Sequence, residues 1–315
     1  MKKLMTLFVI AFLCAGCRTV DNRPYRQVSF FTGAIDVSGP VESRIQGAPA
    51  NVISWLNAMD STDNYKPYTL TAEEEILFIR YLSLLPENYR QIVEEKVIVI
   101  YFIDNFTGGG MTCETFDTNG NMYMVWFYNT EILRRTLGEW INYRENSFFD
   151  DNENGIGIVA GCTGDYAALI HTLLHEASHV FDYYYHVTPF VEPGLHHRNT
   201  VLKTGFTETI WETYNLPVEK YDFPRRGELS AYGLGPAQRK SLAPDIYRSL
   251  SKTPFASVYG SRNWAEDFAE AFTWYYLGKY LNCSYRVSII NGEDDTFVYE
   301  PLLNSLLTDR FGYFE

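Results

Sequence analysis

With 315 residues and 46% hydrophobic content, the chain can bury one large core, and five cysteines are too few for a disulfide scaffold. A formal charge of -13 leaves no basic stripe to meet phosphates, which argues against a nucleic-acid partner and says little about a peptide or protein substrate.

Met1-Lys2-Lys3 and the apolar run from Leu4 to Ala15 read as a secretory signal, too short to cross a bilayer as a mature helix. Leu13-Cys14-Ala15-Gly16-Cys17 resembles a bacterial lipobox, departing from the usual pattern at Cys14. Residues 1–16 are therefore expected to be a lipoprotein signal peptide, with acylated Cys17 as the sole membrane attachment. This places the chain in the bacterial cell envelope, periplasmic or surface-facing, with plain secretion as the alternative. Cys113, Cys162 and Cys283 then remain, enough for at most one disulfide.

Residues 17–51 mix polar residues with Gly and Pro and are expected to tether the anchor to a folded body of residues 52–315, although Val28 to Phe31 could form a strand. A helix is expected from Thr71 to Arg80, with acids in its first turn, and a second from Glu87 to Glu95 after Pro86. Lys96 to Ile103 is β-branched and apolar, as a buried central strand is. Gly108-Gly109-Gly110 reads as a loose loop, and Asn119-Gly120 as the turn of a hairpin joining Met111–Phe116 to Met122–Tyr128. Met122–Tyr128 is the candidate edge strand for an extended peptide, or an ordinary buried hairpin strand. A helix is expected through Ile132 to Trp140. Asp150 to Gly155 looks like the first half of a calcium loop, but Gly161 stands where a bidentate Glu is needed, so an Asx-rich turn is the default.

The chemistry concentrates in His175-Glu176-Ala177-Ser178-His179, within an apolar run with helical character. Four-residue spacing puts both imidazoles on one helix face, where they can grip one zinc ion, and Glu176 can reach a water on that ion as general base. His171 and His175 share the spacing but lack the adjacent carboxylate, so His171 reads as a packed neighbour. A metzincin third ligand is missing: Asp182 and Tyr185 occupy its glycine and histidine positions, and His186 comes one residue late.

Downstream, Asn263 is a credible N-cap for a helix from Trp264 to about Leu281, with Glu266 and Glu270 on one face. Glu266 can close the zinc site and leave a fourth position for water, or be a capping acid. Glu270 can hold a ligand histidine through its free ring N–H, or face solvent. His196 and His197, in a Pro-Gly loop, are alternative ligands or rim residues.

Tyr259-Gly260 through Phe272, with Glu266-Asp-Phe-Ala-Glu-Ala-Phe272, resembles the C-terminal catalytic motif of the anthrax lethal factor family of gluzincin metallopeptidases, and the clostridial Pro-Pro endopeptidases are similar. His179-Val-Phe-Asp182 also suits that family's helix. The resemblance covers two blocks of roughly 40 residues together, a length read directly from the sequence. It implies zinc ligands His175, His179 and Glu266, base Glu176, and Tyr259 as the residue that steadies the oxyanion.

The expected fold is α+β and zincin-like: a mixed sheet over the H-E-x-x-H helix in residues 52–185, and a mostly helical half in 186–315. The expected function is a zinc-dependent endopeptidase. The rivals are a surface-anchored binding protein with an inactive or structural zinc site, and a zinc amidase acting on cell-wall material.

Overall fold

The computed structural model describes residues 23–150, 155–191, 196, 203–291 and 294–315. The expected signal, the lipidation site Cys17, His197 and most of the Asp150 to Gly155 segment lie outside the described residues.

Three short 3₁₀ turns lead into β1 (Ile45–Gln46), α1 (Ala50–Met59), β2 (Lys66–Tyr68), α2 (Ala72–Leu82), α3 (Glu87–Lys96), β3 (Val97–Asp104), β4 (Gly110–Phe116) and β5 (Met122–Asn129). Then come α4 (Glu131–Arg134), α5 (Leu137–Ser147), β6 (Ile156–Cys162) and α6 (Leu169–Tyr185). Beyond them lie β7 (Trp211–Thr213), β8 (Leu216–Pro217), α7 (Ala243–Leu250), α8 (Trp264–Leu281), β9 (Tyr285–Asn291), β10 (Asp294–Tyr299) and α9 (Ser305–Thr308).

The architecture is mixed α+β. A five-stranded mixed sheet runs β1-β3-β5-β4, with β2 also on β3; β1/β3 and β3/β5 are parallel, β4/β5 and β2/β3 antiparallel. β3 and β5 are nearly continuous apolar runs because both of their faces are covered. On one face Ile100, Phe102, Trp126 and Tyr128 join a core with α2, α3, α6 and α8. On the other, Val99, Tyr101, Val125 and Phe127 pack against Val28, Phe31, Val52 and Leu56.

That second core corrects the expected tether. Between Arg23 and Asn51 the chain is part of the body: Phe31 and Val41 are buried, Tyr101 donates to the Phe31 carbonyl at 2.6 Å, and the Arg44 guanidinium donates to the Val97 carbonyl. Single apolar residues spaced among Gly and Pro carry no period, so their packing was not visible as an element. Val28–Phe30 is a 3₁₀ turn, not a strand.

The edge strand also needs correction. β5 is interior, and β4 is the edge. The more polar alternation of Gly110–Phe116 suits an edge, whereas the all-apolar β5 needs neighbours on both sides. The helix expected through Ile132 to Trp140 is broken at Arg135–Thr136, where Thr136 opens α5 with a capping box to Glu139. Nor is the second half simply helical, because β9 pairs antiparallel with β6 and with β10. One buried core runs from Val41 to Leu307, so residues 52–185 and 186–315 share both a sheet and a core.

Candidate metal centre

α6 is buried along almost its whole length, from Leu169 to Val180, because sheet, α3 and α8 enclose it. It ends at His186 in the left-handed conformation, φ 54°. The next turn is tied back where Asp182 accepts from the Thr188 amide and hydroxyl, each at 2.6 Å. Burial outweighs those bonds and pushes the Asp182 carboxyl up to about 7.

α8 crosses α6 and starts where expected. Asn263 accepts from the amides of Ala265 and Glu266 at 3.0 Å each, fixing the first turn that carries Glu266. Asp267, on the far side of that turn, is clamped by Arg310 at 2.9 and 2.7 Å and by the Trp211 indole at 2.9 Å.

These anchors bring three ligand atoms together. His175 Nε2 lies 3.1 Å from Glu266 Oε2 and 3.2 Å from His179 Nε2, and the third side of the triangle is 3.6 Å. Ligands about 2.0–2.1 Å from a tetrahedral zinc stand roughly 3.3 Å apart, so the triangle fits such an ion. Two imidazole nitrogens meeting over a carboxylate is a donor set that calls for a cation between them. The electrostatics agree: burial opposes charge on His175, yet Glu266 and Glu270 outweigh it and push its pKa up to about 10. Among the described residues this is the sole convergent His, Cys, Asp and Glu group of its kind.

Glu176 is buried beside the triangle and not part of it. Thr112 of β4 donates to its Oε2 at 2.7 Å. Burial raises its pKa, against the lowering effect of His175 and His179. The glycines expected as a loose loop are a close contact: a Cβ on Gly109 would stand 2.8 Å from Thr172 Oγ1, and one on Gly110 3.0 Å from Glu176 Oε1. Absence of side chains there lets β4 approach α6.

Glu270 is fully buried, with Oε1 3.3 Å from His175 Nδ1, near enough to act on its charge but off the line of a hydrogen bond. It is not on a solvated face. Arg144 of α5 donates to both of its oxygens at 2.9 and 3.0 Å, Ser257 donates at 2.6 Å, and Trp274 at 3.3 Å. Glu145 pairs with the same guanidinium at 3.0 Å and accepts from Tyr247 at 2.6 Å. Although burial favours its neutral form, Arg144 keeps the Glu270 carboxyl well below the usual range. His171 completes this layer 3.4 Å from Glu270, and burial pushes it down to about 4, so it stands neutral. Arg144, Glu145 and Ser257 were missed from sequence; a single Arg-Glu pair on a helix reads as surface until the fold brings residue 270 beside it.

Tyr259 stands with its ring 5.9 Å from that of His175, on the wall of a cavity of about 200 Å³ that opens beside Glu176. Burial raises its pKa, so the hydroxyl keeps its proton. His196 takes no part in the triangle; it stacks on Tyr214 at 3.9 Å, with Nε2 2.9 Å from the Val191 carbonyl. No helix among the described residues is long and apolar enough to cross a membrane. No protein-family model, curated protein or solved structure matches the chain.

Proposed function

We propose that the chain is an exported, zinc-dependent endopeptidase of the gluzincin type, zincin-like in fold and anchored to the cell envelope at Cys17. The observation that carries this reading is the His175, His179 and Glu266 triangle with a separate buried carboxylate, Glu176, against it.

A zinc ion held by those three residues would leave a position for water and supply Lewis acidity, lowering the pKa of a water and polarising a carbonyl. Glu176 takes the proton from the attacking water and delivers it to the leaving amine. Its Thr112 bond holds one oxygen and leaves the other for the proton, and burial raises its proton affinity above that of an ordinary carboxylate. Tyr259 donates to the oxygen on which charge develops. Glu270, pinned by Arg144 and Ser257, holds a fixed negative charge 3.3 Å from His175 Nδ1 and so raises the basicity of that ring. The free side of β4 offers the backbone groups on which an extended peptide can lie.

A closed, structural zinc site needs a fourth protein ligand, and the position of His196 on Tyr214 weakens that rival. The test is mass-spectrometric analysis of a diverse peptide library digested by zinc-loaded protein beside Glu176→Gln and Glu266→Ala. The expected result is cleavage by the wild type alone, with zinc retained in Glu176→Gln and reduced in Glu266→Ala. Turnover surviving in Glu176→Gln would falsify the assignment of the base; cleavage of cell-wall fragments but of no peptide selects the amidase.

A further inference from the structure

We propose that the cavity beside Glu176 receives an aromatic side chain on the substrate residue flanking the scissile bond, and that Tyr232 sets its width. This rests on the peptidase reading above.

The cavity, about 200 Å³, opens between Gly110, His175 and Glu176, so an occupant is joined to the substrate backbone right at the bond being cut. A dry apolar cavity of about 150 Å³ accepts benzene, so the space suffices for a ring. Its walls are Phe106, Met111, Trp140, Tyr232 and Tyr259. The rings form a connected array: Trp140 and Tyr232 are 5.8 Å apart and 27° from parallel, and Tyr232 meets Tyr259 edge-on at 6.2 Å. Those are separations at which a further ring gains from offset or edge-to-face contact.

The charged floor does not select a charged occupant. Arg144 is already paired with Glu270 and Glu145, and Glu270 is further held by Ser257 and Trp274. A charged side chain entering the cavity would lose its water, and the carboxylates it would meet already accept from Arg144, Ser257, Trp274 and Thr112, at a cost a neutral ring avoids; Arg144 Nη2 lacks a hydrogen bond but stands 3.0 Å from Glu145.

Tyr232 is the wall residue with an unusual backbone. Its φ is 60°, and Gly233 follows at 76°. A bulky side chain adopts the left-handed region at a cost, and such strain persists where surrounding structure enforces it. Here the Tyr232 amide donates to Ser147 Oγ at 2.9 Å, and the ring lies over Gly108, where an added Cβ would stand 3.6 Å away. The left-handed pair turns the ring into the cavity. Leu234, 51% exposed, also lines the cavity.

The experiment has two arms. In the first, zinc-loaded wild type digests a peptide library, and kcat/KM is measured for matched peptides with Phe or Ala beside the cleaved bond. Enrichment of Phe, Tyr or Trp at one flanking position is expected. Tyr232→Gly keeps the left-handed backbone and should lower the Phe-to-Ala ratio about tenfold; Tyr232→Phe, which retains the ring, should keep it. The second arm needs no turnover: N-acetylphenylalanine amide and N-acetylalanine amide are titrated into zinc-loaded Glu176→Gln by NMR, with and without Tyr232→Gly.

Peptides cut without aromatic preference, or a ratio unchanged in Tyr232→Gly, overturn the subsite and leave the peptidase reading standing. No cleavage, with phenylalanine amide bound selectively and that selectivity lost in Tyr232→Gly, sustains the aromatic site and overturns the peptidase reading. Neither cleavage nor selective binding overturns both. Should Tyr232→Gly fail to fold, the wild-type profile and the amide titration on Glu176→Gln decide the matter.

Discussion

Replacing Arg144 by Met removes the guanidinium that two buried carboxylates share. Glu145 and Glu270 are both fully buried and both pair with this one guanidinium. Breaking a buried ion pair by removing one partner costs roughly 3–5 kcal/mol, because the desolvated charge stays behind. In a protein of this size that lowers Tm by roughly 5–8 °C. The position of Glu270 beside His175 Nδ1 adds a second readout, a zinc affinity about 10–100-fold weaker. Urea unfolding of metal-free protein measures the first quantity and competition with a zinc chelator the second. Adding Glu145→Gln and Glu270→Gln to Arg144→Met should recover much of the stability but not the zinc affinity. If Arg144→Met unfolds within about 1 kcal/mol of wild type at neutral pH, the network is not the desolvated ion cluster described, and its electrostatic support of His175 falls with it.

Two further outcomes are expected. Gly110→Ala puts a Cβ 2.9 Å from Thr172 Cγ2 and 3.0 Å from both Glu176 Oε1 and the Phe127 carbonyl, which cannot all yield. The substitution should cost about 1–3 kcal/mol in urea unfolding and depress turnover more than zinc content; full activity would show that β4 can move away from α6 unaided. For Asp182, burial raises the folded pKa from the ordinary 3.8 to about 7, so its stabilising contribution is full below the lower value, falls as pH rises and is gone once pH has passed through 7. Asp182→Asn can satisfy both Thr188 groups without a charge, so its stability curve should stay flatter than wild type between about pH 4 and 7, where the wild type loses stability as its unfolded carboxyl ionises and its folded one does not. Parallel curves would show that Asp182 is already ionised throughout that range.

Elements with a strong local signal were legible in the sequence. The acids after Thr71, the β-branched run at residues 97–103 and the Asn119-Gly120 turn each correspond to an element with nearby bounds, and α8 begins at the N-cap expected. His175, His179 and Glu176 could be read because helical periodicity alone puts two histidines on one face. Glu266 could be read as a ligand or a capping acid from its N-capped helix, and the resemblance favours the ligand, whereas Tyr259 enters through the resemblance alone; the structure brings Glu266 to the histidines and Tyr259 to the cavity beside them. Of the two readings open for Met122–Tyr128, the buried hairpin strand holds and the edge strand does not, because an edge must tolerate water and this run is apolar almost throughout. Arg144 and Tyr232 were invisible for different reasons. The first depends on a partner 126 residues away, and the second on a backbone angle that composition does not encode.

The N-terminal segment leaves β4 open at one end only. Gln27 bridges to Phe116, and Arg26 pairs with Glu114 and lies over the Phe116 ring at 4.4 Å, so the last positions of the edge are already occupied. On the proposed peptidase reading, a peptide would enter along the Gly110 end and would not thread through past Phe116. If Cys17 carries lipid, the six residues from there to Arg23 reach at most roughly 20 Å, which holds the blocked end toward the bilayer. The cleft would then work as a one-way slot opening away from the membrane, admitting loops and chain ends from the aqueous side and refusing segments that emerge from the bilayer beneath it.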